Sequence, residues 1–256
     1  MAIPKPARLS RLTTRPVMRI LSLGLLLSCA ATLACSRPGS PQVTAEGRST
    51  AAGRRYTVFH PDGLRVQVVT SRPSPQNSSY QLSVAAAYTD LDTDQPLDLL
   101  VCNGRPLQPA AKVGFLDGVL TIIGDSLTIG RIDKGQTPPA AELARVRSRR
   151  GTLLLQELLV FEGRNQRPAG GSAFQRRALV ELAGHRLAVV ESQADELTMQ
   201  QFAADLIELG ARHALYLDMG DWDEGWYRNG GEVVRLGHRR TETARQSNWL
   251  VFAQAR

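Results

Sequence analysis

From Tyr56 onward, apolar and polar residues change places over short runs. YTVFHPDGLRVQVVTS alternates on both sides of His60-Pro61-Asp62-Gly63, predicting two strands flanking a turn. YQLSVAAAYTD predicts a strand that leads into small residues and the polar turn LDTDQP. LDLLVCNGRPL predicts a strand ending at Asn103-Gly104, a strong turn signal. GFLDGVLTIIGDSLTIGRI predicts a hairpin, with turns expected at Asp117-Gly118 and Gly124-Asp125. PPAAELARVRSRR predicts a short basic helix over 138–150. GTLLLQELLVFEGR is apolar enough for a strand or a buried helix, and its end favours strand. RRALVELAGHRLAVVES predicts two strands joined at Ala183-Gly184.

The clearest helix runs over Thr198–Leu209. Thr198 suits the N-cap, Met199, Phe202, Leu206 and Leu209 recur at helical spacing, and Gly210 stops the run. HALYLDMG then predicts a strand and a tight turn, and NWLVFAQ a closing strand. Many strands with few helices predict an α+β fold: mixed, mostly antiparallel sheets with few covering helices.

Charge adds a leader to this picture. The 256-residue chain is 43% hydrophobic, enough for one domain with a tail, and carries a formal +7. Its first 35 residues hold Lys5, Arg8, Arg11, Arg15 and Arg19 and no acid, so the remainder carries +2. A near-balanced body argues against a nucleic-acid partner. A basic region ending at Arg19, followed by the apolar ILSLGLLLSCAATLAC, is the pattern of an export signal over 1–35. The run is too short for the roughly 20 residues of a spanning helix. Small residues precede both Cys29 and Cys35, as in a bacterial lipoprotein signal, so either thiol could be lipidated. That would place the protein at the periplasmic or cell-surface side, attached to the membrane through an N-terminal lipid. Residues 36–54 read as a flexible tether, with the folded domain over 55–256. Cys102 is then a buried thiol with no disulfide partner.

Candidate chemistry concentrates in ALYLDMGDWDEGWYR. Asp218, Asp221, Asp223 and Glu224 share one turn with Trp222 and Trp226, in a chain that is only 5% aromatic. Carboxylates beside indoles suit a sugar or phosphosugar ligand. The acids lack the alternation of a calcium loop, and the four histidines show no metal spacing, so no metal or cofactor is expected.

The order of RRALVEL, LTMQQFAADLIELGA and RHALYLDMGDW resembles the phosphodiester glycosidase family. There an Arg-Thr-Ala-Ile-Gly strand leads to a Leu-Thr-x-x-Glu-Leu-Ala helix and then to Leu-Asp-Gly-Gly-Gly-Ser. Arg176 matches the family arginine, Asp218 the aspartate and Gly220 a glycine. AAAYTDLDTDQPLDLLVCNGR resembles the Asn-Gly-Gly-Phe-Phe-Asp segment and places Asp90 on its aspartate. ARQSNWLVF resembles the C-terminal Arg-x-Val-x-Asn strand and places Arg245 and Asn248. The family's Asn-Gly-Gly is here Ala85-Ala86-Ala87, and its Asp-Gly-Gly-Gly-Ser is Asp218-Met219-Gly220-Asp221-Trp222.

The resemblance implies a hydrolase of sugar phosphodiesters or envelope glycans, with Asp218 and Asp90 as catalytic carboxylates. Arg176 would clamp a phosphate, and Gly220, Trp222, Arg245 and Asn248 would contact the ligand. Arg177 would face the opposite side of its strand. The lost glycines leave a second expectation open: a non-catalytic carbohydrate-binding or structural envelope lipoprotein with a degenerate site.

Overall fold

The computed structural model describes residues 41–194, 196–219, 224–237 and 245–255. The first half contains β1 (Gln42–Ser49), β2 (Arg55–Asp62), β3 (Arg65–Val69), β4 (Tyr80–Ala85), β5 (Thr89–Asp90) and β6 (Gln95–Pro96). It continues through β7 (Leu99–Cys102), β8 (Arg105–Pro106), β9 (Gly118–Ile123), β10 (Ser126–Arg131) and the helix α1 (Ala140–Ser148). The second half contains β11 (Thr152–Gln156), β12 (Leu158–Phe161), β13 (Arg164–Asn165), β14 (Arg177–Glu181) and β15 (Leu187–Ser192). Then come the helix α2 (Met199–Glu208), β16 (His213–Tyr216), β17 (Gly225–Asn229), β18 (Glu232–Arg235) and β19 (Trp249–Ala253).

Seven strands form the largest sheet, in the order β1-β2-β15-β14-β16-β12-β13. Two five-stranded sheets run β10-β9-β11-β7-β8 and β18-β17-β4-β19-β3, and β5 and β6 make a short ribbon. The paired strands are antiparallel, as in β14 with β15 and β19 with β4. The α+β expectation of mostly antiparallel sheets with few helices holds.

The large sheet is buried on both faces. Phe59, Leu179 and Leu215 join Leu82, Leu120, Leu250 and Phe252 in one core. Their chain neighbours Val58, Val180 and Ala214 pack instead with Phe202 and Leu206 of α2. A third core sits under α1, where Val146 meets Leu100, Leu153 and Leu155. A strand covered on both sides needs apolar residues at every position. That is why TLLLQELLVF carries no two-residue period to distinguish it from a buried helix.

Three expectations change on contact with the structure. Residues 42–49 belong to no tether: they form β1, paired with β2 from Gln42–Asp62 to Ser49–Arg55. As an edge strand, β1 buries only Val43, so its polar sequence reads as linker. The strands on either side of His60–Gly63 are not partners: β2 lies in the large sheet and β3 beside β19. Asp117-Gly118 is not a turn but the entry to β9. A Cβ on Gly118 would lie 2.4 Å from Leu215 Cδ1 and 2.9 Å from the Gln156 carbonyl oxygen, so close approach requires the glycine. Asn103-Gly104 does turn the chain between β7 and β8, with φ of 50° and 80°.

Helix α2 starts as its sequence implies. The Thr198 side chain accepts from the Gln201 backbone amide, and the Gln201 Oε1 in turn accepts from the Thr198 backbone amide. Its Asp205 is buried and receives Arg54 at 2.5 Å through both Nε and Nη2, together with the Tyr56 hydroxyl. This cluster fastens the helix to β2.

Candidate functional site

The two arginines at the start of β14 enter different surroundings. Arg177 is fully buried and pairs with Glu191 on β15, while its Nη1 donates to the Glu224 carbonyl at 2.9 Å. Glu191 also accepts the Gly237 amide at 3.0 Å. Arg176, immediately before β14, turns the other way. Its Nε donates to the Leu197 carbonyl at 2.9 Å and its Nη2 to the Ser172 carbonyl at 2.5 Å. Its guanidinium lies 5.7 Å from the Tyr216 ring centroid and 5.3 Å from that of Phe174.

Tyr216 ends β16 and is the point where Arg176 and Asp218 meet electrostatically. Burial raises its phenol to about 12; the charge of Asp218 adds to the rise, and that of the nearby Arg176 opposes it. Tyr88 is also held above its ordinary range, first by burial and then by Glu157, Tyr216 and Asp218. The two tyrosine rings lie 6.2 Å apart. Asp218 is 5% exposed, and its amide donates to the Ala86 carbonyl at 3.1 Å. One constellation therefore holds Asp218, Arg176, Tyr88, Tyr216 and Glu157.

Sequence reasoning missed Glu157. It sits between β11 and β12, where the chain leaves one sheet for another. Its Oε1 accepts the Tyr88 hydroxyl at 2.8 Å and its Oε2 accepts Arg167 Nη1 at 2.9 Å. Arg167 is buried and also pairs with Asp117, whose other oxygen accepts the Leu158 amide at 2.9 Å. The available signal was a lone acid inside the apolar run LLLQELLVF.

Of these groups Tyr88, Glu157, Arg167 and Arg176 line a hollow of about 430 Å³ together with Phe115 and Phe174, whereas Asp218 and Tyr216 are not among its lining residues. Lys134 and the Gly170-Gly171 pair complete its rim. This size suits one or two sugar rings or a sugar with a phosphate. Aromatic faces beside guanidinium groups suit an anionic sugar.

The other expected residues lie elsewhere. Asp90 is not on the wall of this hollow. It stands in the β5–β6 ribbon, where its Oδ1 accepts the Asp92 amide at 2.9 Å, the main cause holding its carboxyl below the ordinary range. Arg245 donates to Asp94 at 2.7 Å in the same exposed turn. Asn248 is fully buried and contacts main chain rather than the hollow. Its Oδ1 accepts the Ala87 amide at 2.7 Å and its Nδ2 donates to the Ala87 carbonyl at 3.0 Å. The Asn248 carbonyl takes the Ala86 amide at 3.4 Å. Asn248 is thus a brace for Ala85–Ala87, and the ligand contact expected of it is replaced by this role. Gly220 and Trp222 lie outside the described residues, as do Cys29 and Cys35. Cys102 is buried, and burial raises its thiol pKa.

Among the described residues, no helix is long and apolar enough to cross a membrane, and no three His, Cys, Asp or Glu side chains gather as metal ligands. No known sequence family and no curated protein matches the chain. Solved structures do. A hypothetical protein from Synechocystis is similar at 13% identity over 85% of this chain and 65% of that one, with a TM-score of 0.53. The zebrafish N-acetylglucosamine-1-phosphodiester alpha-N-acetylglucosaminidase catalytic domain, auto-inhibited by its pro-peptide, is similar at 11% identity over 86% of each chain, with a TM-score of 0.57. At such identities the likeness is one of fold: the chain shares the antiparallel β architecture that carries that glycosidase catalytic domain.

Proposed function

We propose that the chain is an exported hydrolase-type domain acting on an anionic sugar derivative, a sugar phosphodiester or an envelope glycan. The observation that carries this reading is the meeting of Asp218 and Arg176 at the buried phenol of Tyr216, beside an aromatic and basic hollow. Cleavage at an anomeric carbon builds positive charge on the sugar and leaves negative charge on the departing phosphate. The Asp218 carboxylate stabilises the first, and Arg176 and Lys134 attract the second. Glu157 replaces Asp90 as the second carboxylate. It lines the hollow, is oriented by Tyr88 and Arg167, and in this reading takes the proton of the attacking water. From a sugar phosphodiester the phosphate monoester departs without needing a proton, so one base suffices there; a glycan leaving group would need a proton returned to it.

The test is release of free sugar from a panel of sugar-1-phosphodiesters. Asp218→Asn should lower turnover by about 10²-fold or more while thermal unfolding stays within a few degrees. Wild-type chain that turns over none of the panel and binds none of it ends the reading.

One observation favours a second reading, a carbohydrate-binding envelope lipoprotein without turnover. The amides of Ala86 and Ala87 are both taken by Asn248, so neither is presented to a phosphate. Calorimetric binding of the same panel with no product would select it. In either reading residues 1–35 direct export and a lipid on Cys35 or Cys29 holds the domain at the membrane. Metabolic labelling with a fatty acid, lost on substituting the modified cysteine, tests that anchor.

A further inference from the structure

One end of the domain is markedly basic. Helix α1 finishes in Arg145, Arg147, Arg149 and Arg150, all exposed. The β7–β8 turn abuts this helix end: the Gly104 amide donates to the Gly151 carbonyl at 2.7 Å, and a Cβ on Gly104 would lie 2.9 Å from Arg150 Cα. The exposed Arg105 follows that turn directly. Arg65, at the start of β3, lines a polar hollow of about 320 Å³ together with Arg150 and Asn103. Among the described residues two acids form ion pairs with these six arginines, and Asp62 is exposed three positions before Arg65. Asp125 lies 3.0 Å from Arg65, in a pair exposed on both sides, and Glu142 lies 3.8 Å from Arg145.

The chain enters the domain at the same end. Pro41 precedes β1 and packs beside Gly63, two residues before Arg65; a Cβ on Gly63 would lie 3.6 Å from Pro41 Cα. An acylated Cys35 leaves only Ser36–Pro41 to span from bilayer to domain, at most about 21 Å of extended chain. From Cys29 the reach is about twice that. The entry point is therefore held close to the lipid surface, and the basic end is the part of the domain next to it.

We infer that this face, from Arg65 across Arg105 to the C-terminal end of α1, docks on an anionic bilayer surface when the chain is anchored. The inference rests on the lipid-anchor reading above. Each arginine near an anionic leaflet strengthens attachment about fivefold, and the attraction fades within a Debye length, about 8 Å in physiological salt. Docking would fix the domain's orientation, with β10 running its length away from the membrane from Ser126 to Arg131.

The experiment uses the full chain, produced in a bacterium that processes lipoproteins and purified from its membranes. It is reconstituted into vesicles of phosphatidylcholine alone or of phosphatidylcholine with phosphatidylglycerol. Trypsin cleavage after Arg145, Arg147, Arg149 and Arg150 is followed by mass spectrometry, with cleavage after Arg131 and Lys134 as the internal reference; the Arg105–Pro106 bond resists trypsin. At low salt the first group should be cleaved at least fivefold more slowly on phosphatidylglycerol vesicles, the reference sites should be unaffected, and high salt should abolish the difference. In Arg149→Gln/Arg150→Gln, protection of Arg145 and Arg147 should fall toward the phosphatidylcholine value. Equal cleavage on both vesicles, with the chain floating with each, overturns the docking face and leaves the anchor standing. A chain that floats with neither vesicle overturns the anchor and the inference with it. Shielding of these arginines by a DNA duplex in detergent solution, but not by anionic vesicles, assigns the face to nucleic acid and also overturns it.

Discussion

The Arg177–Glu191 pair allows a sharp test of how the large sheet is held. Arg177 is fully buried and Glu191 is 8% exposed. A guanidinium cannot shed its charge within the accessible pH range. Glu191→Ala would therefore take from a buried cation the carboxylate that holds it by two guanidinium nitrogens, while the Glu224 carbonyl stays among its partners. Breaking a buried pair in this way costs about 3–5 kcal/mol. At roughly 2–4 °C per kcal/mol for a domain of this size, the melting temperature should fall by about 6–20 °C. Removing both charges should behave differently. Arg177→Met with Glu191→Leu replaces the pair by apolar groups of similar size, which is often near neutral. The lost acceptor of the Gly237 amide adds about 1 kcal/mol. The double variant should then melt within about 5 °C of the parent and above the single Glu191→Ala. Calorimetric or circular-dichroism melts of the parent, the single and the double variant make the comparison. A Glu191→Ala melt within about 2 °C of the parent would refute the reasoning. So would a double variant as unstable as the single.

Gly118→Ala should cost about 2–3 kcal/mol in denaturant unfolding, because the Gln156 carbonyl that the new methyl meets is backbone and cannot swing aside; a neutral substitution would mean the sheets part more easily than their packing implies. Alkaline stability follows from the buried phenols. Tyr216 is raised from 10.0 to about 12, so the stability it contributes is complete below pH 10 and is lost as pH rises through 12, about 3 kcal/mol in all. Tyr88 and Tyr56 shift in the same direction, both chiefly through burial. Tyrosinate absorbance should therefore show these three ionising only together with unfolding; their titration in a chain that keeps its native circular dichroism would contradict the burial.

Much of the fold was legible where one local rule sufficed. The 3.6-residue period and the Thr198 cap define α2, Ala183-Gly184 separates β14 from β15, and Asn103-Gly104 closes β7 on β8. The sheet assignments were not legible, because they depend on long-range partners. Nothing local distinguishes β2 and β3 as a hairpin from β2 and β3 as members of different sheets. Strand β1 was hidden because an outer strand facing water needs no apolar pattern. The site divides in the same way. Arg176 and Asp218 flank strands with recognisable sequences, and both converge on Tyr216. Glu157 and Arg167 are ten positions apart and acquire meaning only when the fold adds Tyr88 and Asp117. Asn248 was misjudged because its amide could equally serve a sugar hydroxyl or a neighbouring peptide, and only the packing shows which.

The crossing at Gln156–Glu157 makes this hollow unusually sensitive to chain length. A residue inserted just after Glu157 would have no loop to absorb it, since β11 ends one position before and β12 begins one position after. β12 would have to slide by one place, exchanging its inner and outer side chains along its whole length. Drift in sequence can retune the chemistry here, but insertions and deletions should be confined to the far ends of these strands.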